Sequence, residues 1–520
     1  MDEFSNNDRD IFIVRTRKMI DRGALMSRYS RTTELDIRNV YRKEFADSET
    51  RGEEFYRRVF LEYGDESVAE LVTAQVAIQN VSNLCTWTME EKRIGLSFLE
   101  KSSRYVEYQE GSRLYLEPSR SGLPEWSWKE YGAICDELFR LYRKVLSNAV
   151  SYYMEAYPME GFSFPDADGN QKLFGSLKDE KKISSARKAY DRAVRARALD
   201  DARFCLPFST LTNAGVSGNG RAFIDLIMKL NASGLPELRK VAEGLFTELK
   251  LELPNLIDNA VNRHGRETEA YSLARDSLDM SFSELSEVSG VKILKCDSES
   301  EALARMRIAL QFLSSGTEST PDATGGGNED VISYINRSSE IRQNRRQKPG
   351  RVFEIPEYLC AATCSLGTLR DFQRHRMMTV IKRPVNPLSG YILPESVHAS
   401  QELMNDYRST MERSKAFWRK LLPEAGAVKA QYAIPFAFYQ KIVFKLNLRE
   451  LTYFTELRSG SAAHFEIRKI AIQLLEELRK YQPNLSKIVR FVDAADYPLG
   501  RLGAEVRKED RLSSLRKTPD

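Results

Sequence analysis

Histidine is scarce in this chain, which has 4 histidines among 520 residues. One of them, His375, stands between Arg374 and Arg376. Two flanking guanidinium groups make protonation of the imidazole costly, whereas the three side chains together suit a phosphate or carboxylate. The triplet is therefore a candidate anion site. The alternative from the residues alone is a solvated basic patch, because Lys382 and Arg383 follow closely.

Long apolar runs and a large charge excess are also missing. No run reaches 18 apolar residues, so we expect no membrane-spanning helix. Residues 1–8 are acidic and polar, unlike a signal or transit peptide, and we expect a cytoplasmic protein. The formal net charge is only +4, which gives no overall attraction to nucleic acid, so any anion site must be local.

Cysteine is sparse, with 6 residues and no Cys-x-x-Cys pair. Scattered cysteines in a long chain are typical of buried thiols rather than of a disulfide framework or a zinc site. Cys360 and Cys364 lie four apart and could share a helix face as metal ligands, but packing as core thiols is the commoner case. We expect no metal.

The composition, with 42% hydrophobic and 29% charged residues, indicates a globular chain of two or three domains. Ser67 with Glu70 three residues later is typical of a helix cap. Apolar patterning predicts a long helix over 126–153, buried helices over 71–78 and 358–369, and a strand over 290–296. Polar composition predicts loops over 162–185 and 317–328 and a linker over 266–288.

The first half contains two strings, Gly64, Ser67 and Glu70, followed by Glu100-x-Ser102-x-Arg104-Tyr105. They resemble the N-terminal signature of the flavin-dependent thymidylate synthases. The hallmark of that family is Arg-His-Arg followed at the eighth position by the serine of the second string. Counting back from Ser102, the triplet position falls on Lys92-Arg93-Ile94. The first half keeps the string without the triplet.

The second half has the reverse pattern. It carries Arg374-His375-Arg376, but the positions of the string fall on Lys382, Pro384 and Asn386. The closing motifs of the family also occur twice, as Arg203 before Leu206-Pro207 with Asn219-x-Arg221, and as Ile434-Pro435 with Asn447-x-Arg449 and Arg458. Gln431 stands where the first half has Arg203, and Lys229-Leu230-Asn231 stands where the second half has Arg458. An ordered motif set that recurs indicates an internal duplication.

The resemblance implies an α+β fold, with two tandem copies of the flavin-dependent thymidylate synthase fold. Each copy is expected to be helix-rich with a small antiparallel sheet, the first over residues 1–280 and the second over 290–520. Enzymes of that family are tetramers whose active sites lie at subunit interfaces. We therefore expect the two copies to fold as a fused pair and the chain to form a homodimer.

The resemblance also implies a composite site, because the motif residues that survive in the two copies are complementary. The nucleotide is expected between Glu100, Ser102, Arg104 and Arg203 of the first copy and Arg458 of the second, with Arg374 and Arg458 as catalytic residues. FAD is expected against Arg374, His375 and Arg376, with Asn219, Arg221, Asn447, Arg449, Ser67 and Glu70 as further cofactor ligands.

The function implied is methylation of dUMP, or of a related pyrimidine nucleotide, by methylenetetrahydrofolate. FAD would carry the one-carbon unit and NADPH would supply the hydride. The alternative is a non-catalytic nucleotide-binding or structural descendant, because each copy lacks part of the motif set. Nucleic-acid binding through the basic segment 342–348 is a third hypothesis, which the balanced overall charge disfavours.

Each motif residue also has a purely structural interpretation. Glu100 and Arg104 are four apart and could form a surface helical pair. Arg458 could pair with the nearby Glu456 in solvent, and Asn219 with Arg221 could close a turn.

Overall fold

The computed structural model describes residues 3–48, 50–58, 66–109, 113–276, 290–314 and 327–515. Gly64 lies outside these ranges. So do residues 277–289, where the predicted domain boundary falls, and residues 317–326 of the predicted loop. The division at 280–290 therefore stays a prediction.

Helices account for most of the regular structure. In the first half they are α1 (Met19–Tyr29), α2 (Ile37–Glu44), α3 (Arg51–Arg58), α4 (Asn83–Met89), α5 (Pro118–Ser121), α6 (Trp128–Ala156), α7 (Glu180–Ala202), α8 (Gly220–Asn231), α9 (Pro236–Glu252) and α10 (Arg263–Asp276). In the second half they are α11 (Glu299–Ser314), α12 (Glu329–Glu340), α13 (Leu366–Gln373), α14 (Glu395–His398), α15 (Gln401–Lys429), α16 (Leu448–Arg458), α17 (Phe465–Tyr481), α18 (Pro483–Ser486) and α19 (Leu502–Leu515).

Each half also holds a small antiparallel sheet. The first half contains β1 (Thr73–Ser82), β2 (Leu96–Glu100), the hairpin strands β3 (Ser163–Pro165) and β4 (Gln171–Leu173), and β5 (Leu211–Asn219). The second contains β6 (Val291–Cys296), β7 (Glu357–Ser365), β8 (Thr379–Ile381) and β9 (Tyr439–Asn447). The strand orders are β1-β5-β2 and β6-β7-β9-β8, so β5 and β9 take equivalent places. This architecture confirms the predicted fold class.

Matching caps show how closely the second half repeats the first. Ser82 and Ser365 end the long strands β1 and β7, and each caps the helix that follows. A buried glutamate holds each serine. Glu237 accepts from the N–H and hydroxyl of Ser82 at 2.7 and 2.6 Å, and Glu466 accepts from the same groups of Ser365 at 2.8 and 2.5 Å.

The two halves are joined by backbone pairing around the two Leu/Ile-Pro strings. Proline has no N–H, so the flanking residues make the bonds. The N–H of Phe208 donates to the carbonyl of Ile434 at 2.9 Å, and the N–H of Phe436 donates to the carbonyl of Leu206 at 3.0 Å. Because residues 206–208 and 434–436 are equivalent in the repeat, these bonds relate the halves by an approximate two-fold axis.

Two predicted helices are wrong, because residues 73–82 and 357–365 form the strands β1 and β7. Burial along β7 alternates, with Tyr358, Cys360, Ala362 and Cys364 all on the inner face. A short apolar run cannot by itself separate a strand from a buried helix, and here the pairing with β9 decides. Cys360 and Cys364 therefore lie on one face of a strand, with Ala362 between them, rather than side by side on a helix.

The other predicted elements have mixed outcomes. The long helix predicted over 126–153 is confirmed as α6, and the strand predicted over 290–296 is confirmed as β6. The predicted loop over 162–185 instead carries the β3–β4 hairpin and the start of α7, and the first part of the predicted linker is helix α10. Within the described ranges, no group of three or more potential metal ligands occurs and no helix is long and apolar enough to cross a membrane.

Candidate functional site

A cavity of about 440 Å³ lies between the two halves. Its walls include Glu100, Ser102, Arg104 and Arg203 from the first half and Arg374 and Arg458 from the second. We call it the central cavity. Eight lysine and arginine side chains line it against two carboxylates, so the cavity has a strong positive potential. Its size is within the range of small-molecule sites in proteins.

The lining residues converge because each of them stands at the end of an element. Glu100 is the last residue of β2, and Ser102 and Arg104 follow in a turn. Arg203 begins a short 3-10 segment after α7. Arg374 is the C-cap of α13 and Arg458 is the last residue of α16. Loops and element ends held by a rigid scaffold are the usual place for binding side chains.

Glu100 is bonded across the interface between the halves. Its carboxylate forms a buried ion pair with Arg370 and accepts a hydrogen bond from Thr86 Oγ1 at 2.7 Å. A surface pair between Glu100 and Arg104 is thus excluded. Sequence reasoning missed Arg370, although its position four residues before Arg374 puts both side chains on one helix face.

Arg104 has its own buried partner. Its Nε and Nη2 atoms donate to the two carboxylate oxygens of Asp200, each at 2.7 Å. Burial works to raise the pKa of Asp200, but the paired guanidinium prevails and holds it well below its ordinary range. Arg104 is therefore fixed in place with both oxygens of Asp200 occupied.

Arg203 is a buried group of the central cavity that is incompletely hydrogen-bonded. Its side chain is only 4% exposed and its Nη2 atom donates to the carbonyl of Gly367 at 2.7 Å. Its Nε and Nη1 atoms have no hydrogen-bond partner in the described part of the chain. Burial, reinforced by Arg104, lowers its pKa to about 10. A buried guanidinium with two unpaired N–H groups is costly unless an anion completes it.

Arg458 is held by a relay of buried groups. Its Nε atom donates to Nε2 of His375 at 3.0 Å, and Nη1 donates to Asp371 at 2.9 Å. On the other side of the imidazole, Nδ1 lies 2.8 Å from a carboxylate oxygen of Glu450. The suggested solvent pair with Glu456 does not form, because Glu456 is buried against Arg342.

The three members of the Arg-His-Arg triplet point to different places. Arg374 faces the central cavity, and no described residue forms a hydrogen bond or ion pair with its side chain. His375 is 2% exposed. Arg376 donates to the carbonyls of Arg93 and Leu96, each at 3.3 Å, in the other half. Arg93 in turn donates to carbonyls on either side of Arg376, so the two arginines tie the halves together reciprocally.

The remaining predicted cofactor ligands make contacts within the protein. Asn219 and Asn447 cap α8 and α16. Arg221 pairs with Glu70 at 3.0 Å, and Arg449 pairs with Glu354 at 3.0 Å. Ser67 lies in the 3-10 segment Glu66–Leu71 rather than at the cap of an α-helix. None of these side chains lines the central cavity.

The approximate two-fold axis relates the central cavity to a second one of about 1080 Å³. Glu91 stands nine residues after Ser82, as Arg374 stands nine after Ser365, so counting back from Ser102 misplaces the triplet position by one residue. Lys382 occupies the place of Glu100. Lys382 pairs with Glu91 at 2.5 Å and also lies 3.4 Å from the centre of the Trp87 ring. At these two positions the charges are the reverse of Glu100 and Arg374 in the central cavity.

The predicted cofactor ligands are not gathered at the central cavity. Of the nine, only Arg374 lines it; the buried His375 makes internal hydrogen bonds, and Arg376 binds backbone carbonyls. An FAD site that used the other eight residues would therefore lie outside this cavity, and their role as cofactor ligands stays a prediction.

Comparison with known proteins matches the family model "Thymidylate synthase complementing protein" over residues 23–255 and again over 294–484. The chain belongs to this family. The two matched segments fall on the two halves of the fold, and the central cavity takes Glu100 and Arg203 from one and Arg374 and Arg458 from the other. Residues after 484, including α19, lie outside both segments.

Three known proteins show what the chain is similar to. A UPF0159 protein of Thermoplasma acidophilum is 44% identical over 96% of this chain and 100% of its own. A flavin-dependent thymidylate synthase of Pyrococcus abyssi is 30% identical over 22% of this chain and 52% of its own. A solved UMP/dUMP methylase of Streptomyces cacaoi, bound with 5-Br dUMP, has 19% identity and a TM-score of 0.31, covering 39% of this chain and 96% of its own.

Proposed function

We propose that the chain binds a pyrimidine nucleoside 5′-monophosphate, dUMP or a close relative, in the central cavity. The observation that carries this proposal is the pair of guanidinium groups on Arg203 and Arg374, which face one cavity from the two halves and keep N–H groups with no hydrogen-bond partner among the described residues. Forked N–H donors match the oxygens of a phosphate dianion, and charge-assisted hydrogen bonds of this kind are the strong ones.

The remaining lining residues have defined tasks in this proposal. Arg458 is fixed by His375 and Asp371. Its guanidinium would stabilise negative charge on a carbonyl oxygen of the pyrimidine ring. The Arg370–Glu100 pair holds the two halves at the distance that the nucleotide spans. Ser102 belongs to the turn that carries Arg104, since its hydroxyl accepts from the Arg104 N–H at 3.3 Å.

Calorimetric titration with dUMP tests the proposal. Arg203→Gln is expected to weaken binding at least tenfold, because charge-assisted hydrogen bonds contribute about 1.5–3 kcal/mol each. Arg449→Gln is the matched control, since this arginine pairs with Glu354 and does not line the cavity. Deoxyuridine, which lacks the phosphate, should bind far more weakly than dUMP. Equal affinity for dUMP and deoxyuridine would contradict the proposal.

Flavin-dependent methylation of dUMP to dTMP, with methylenetetrahydrofolate and NADPH, is the second candidate. Family membership and the name of the Pyrococcus relative support it, and Arg374 stands unpaired in the cavity. Nucleotide binding is the first candidate because all six predicted nucleotide-binding and catalytic residues line the central cavity, whereas Arg374 alone of the predicted cofactor ligands lines it. The visible absorption spectrum of the purified protein, with and without added FAD and dUMP, separates the two: a flavin band that dUMP shifts supports methylation.

We also propose that two chains associate. Ile94 and Met377 occupy equivalent positions in the two halves and are 80% and 68% exposed. Leu99 and Ile381 form a second equivalent pair, 80% and 61% exposed. Large apolar side chains repeated about a two-fold axis suit a self-complementary interface. Light scattering on the wild type and on the double variant Ile94→Ser, Met377→Ser should show a dimer that the variant loses.

A further inference from the structure

A third cavity, of about 410 Å³, adjoins the central cavity and is closed by residues after 484. We call it the tail cavity. Arg104, Ser461 and Ala463 line both cavities. The tail contributes residues 494–497, 500 and 501 to the wall, and helices α7 and α17 supply most of the remainder. The tail lies outside the family-matched segments, so this cavity is built partly by residues beyond them.

The tail is firmly attached where it forms the wall. Arg468 of α17 donates to the backbone carbonyl of Ala495 at 2.6 Å, and Lys182 of α7 pairs with Asp510 of α19 at 2.9 Å. At Gly500 the tail backbone comes so close to Ser461 that an added Cβ would lie 2.3 Å from its carbonyl oxygen. The chain thus uses a glycine to bring Arg501 against the cavity.

Arg501 is buried but incompletely bonded. Its side chain is 8% exposed, Nη1 donates to the carbonyl of Arg104 at 3.2 Å, and the guanidinium lies 4.1 Å from the centre of the Tyr105 ring. The Nε and Nη2 atoms have no hydrogen-bond partner among the described residues. The nearest carboxylate, Asp200, stays 3.9 Å from Nη2, because both its oxygens are bonded to Arg104.

The unpaired atoms define what the cavity can hold. Nε and Nη2 lie on one edge of the guanidinium, and that edge is the fork that binds a carboxylate or phosphate through two parallel hydrogen bonds. The lining carries five basic side chains, on Arg104, Arg197, Arg468, Lys469 and Arg501, and three carboxylates, on Asp200, Glu476 and Asp496. Positive charge is therefore in excess, and the Nε–Nη2 edge of Arg501 makes no hydrogen bond within the described ranges.

We propose that the tail cavity is a second anion-binding subsite, in which Arg501 receives the carboxylate or phosphate group of a second ligand beside the nucleotide. The subsite rests on the proposed function in one respect only, namely that the ligand in the neighbouring central cavity is a nucleotide. The anion would bond to Nε and Nη2 of a buried guanidinium, the two atoms that have no hydrogen-bond partner among the described residues. Because Arg104 lines both cavities, the two ligands would share one wall.

Calorimetry with protein saturated by dUMP tests the subsite, with orthophosphate and glutarate as separate probes. The saturating nucleotide removes the central cavity as a competing anion site. Binding of orthophosphate identifies a phosphate subsite, and binding of glutarate identifies a carboxylate subsite. Arg501→Gln should weaken, at least tenfold, the affinity for whichever probe binds. Arg501→Lys keeps the charge without the fork and should weaken it nearly as much.

Lys508→Gln is the matched control, because it removes a positive charge from the same tail outside the cavity. Thermal unfolding of all three variants shows whether the tail stays folded. Failure of both probes to bind the wild type, or unchanged binding by Arg501→Gln, overturns the subsite. Should dUMP itself fail to bind, the probes are titrated into the free protein with Arg203→Gln and Arg501→Gln. Loss of probe binding in Arg501→Gln but not in Arg203→Gln then supports the subsite, while the nucleotide proposal fails.

Discussion

Nε of Arg458 donates a hydrogen bond to Nε2 of His375 at 3.0 Å, which makes the imidazole the acceptor. The proton of the neutral ring is therefore on Nδ1, facing Glu450. Burial lowers the pKa of His375 and favours this neutral form. The histidine of the triplet thus acts on the central cavity through Arg458, as a positioning residue.

Replacing His375 should reduce nucleotide affinity without touching the cavity wall. His375→Phe removes the acceptor that orients Arg458, and we expect dUMP binding to weaken about tenfold, the effect of roughly one hydrogen bond to a charged group. His375→Gln offers an amide oxygen to Arg458 and should restore most of the affinity. Calorimetric dissociation constants for the three proteins check this. Wild-type affinity in the Phe variant would show that Arg458 needs no positioning.

The stability of the protein should fall on acidification through His464. Burial lowers the pKa of this histidine to about 3, from an ordinary value of 6.5. Below pH 6.5 the unfolded chain takes up a proton that native His464 does not, so its contribution to stability decreases as the pH falls from about 6.5 to about 3. At pH 5 the loss is about 2 kcal/mol.

The variant His464→Asn isolates this effect, because asparagine retains an acceptor for the helix cap that His464 provides through the Glu466 N–H. The difference in the free energy of unfolding between pH 7 and pH 5, measured with urea, should shrink by about 2 kcal/mol. The exposed His398 is the control, and His398→Asn should leave the difference unchanged. If both variants reduced this pH-dependent difference equally, burial of His464 would not be its cause.

Removal of either buried glutamate should destabilise the fold by a similar amount. Glu237 and Glu466 each bond the N–H and hydroxyl of a capping serine, and Glu237 also accepts from Tyr432. Truncation leaves buried donors unsatisfied, so Glu237→Ala and Glu466→Ala should each cost about 2–4 kcal/mol in the free energy of unfolding. Glu248→Ala, at an exposed position, is the control. If only one of the two variants lost stability, the two halves would not be energetically equivalent.

Only one of the two related cavities should bind the nucleotide. In the second cavity, Lys382 and Lys229 neutralise Glu91, whose pKa the two lysines lower to about 2 against the effect of burial. A carboxylate thus replaces the Arg374 guanidinium. Calorimetry with dUMP should give one site per chain, and Lys382→Met should leave that number unchanged. Two sites of similar affinity would contradict this reading of the charges.

Local sequence predicted much of the candidate site. The string Glu100-x-Ser102-x-Arg104, Arg203, Arg374 and Arg458 were grouped from motif order alone, and the structure brings all six side chains to one cavity. Their roles there remain proposals. The motifs are short and keep fixed spacing, so they can be read without knowing the fold.

The sequence could not predict which carboxylate pairs with which arginine. Glu100 pairs with Arg370 and Arg104 with Asp200, across 270 and 96 positions. Many carboxylates lie nearer in sequence to these arginines, and nothing local ranks them. The strands β1 and β7 were taken for helices for a related reason, because only pairing with β5 and β9 distinguishes them.

The sequence by itself indicated the duplicated α+β fold and the residue types of the site, because short motifs at fixed spacing are enough to show the resemblance to the family. Only the tertiary structure decided which atoms stay unpaired. Arg203 and Arg501 resemble dozens of other basic residues in the sequence, and their free N–H groups arise because each is buried where neighbouring carboxylates are already bonded or too far away. Burial and partner geometry are long-range properties, and here they mark the places where an anion would bind.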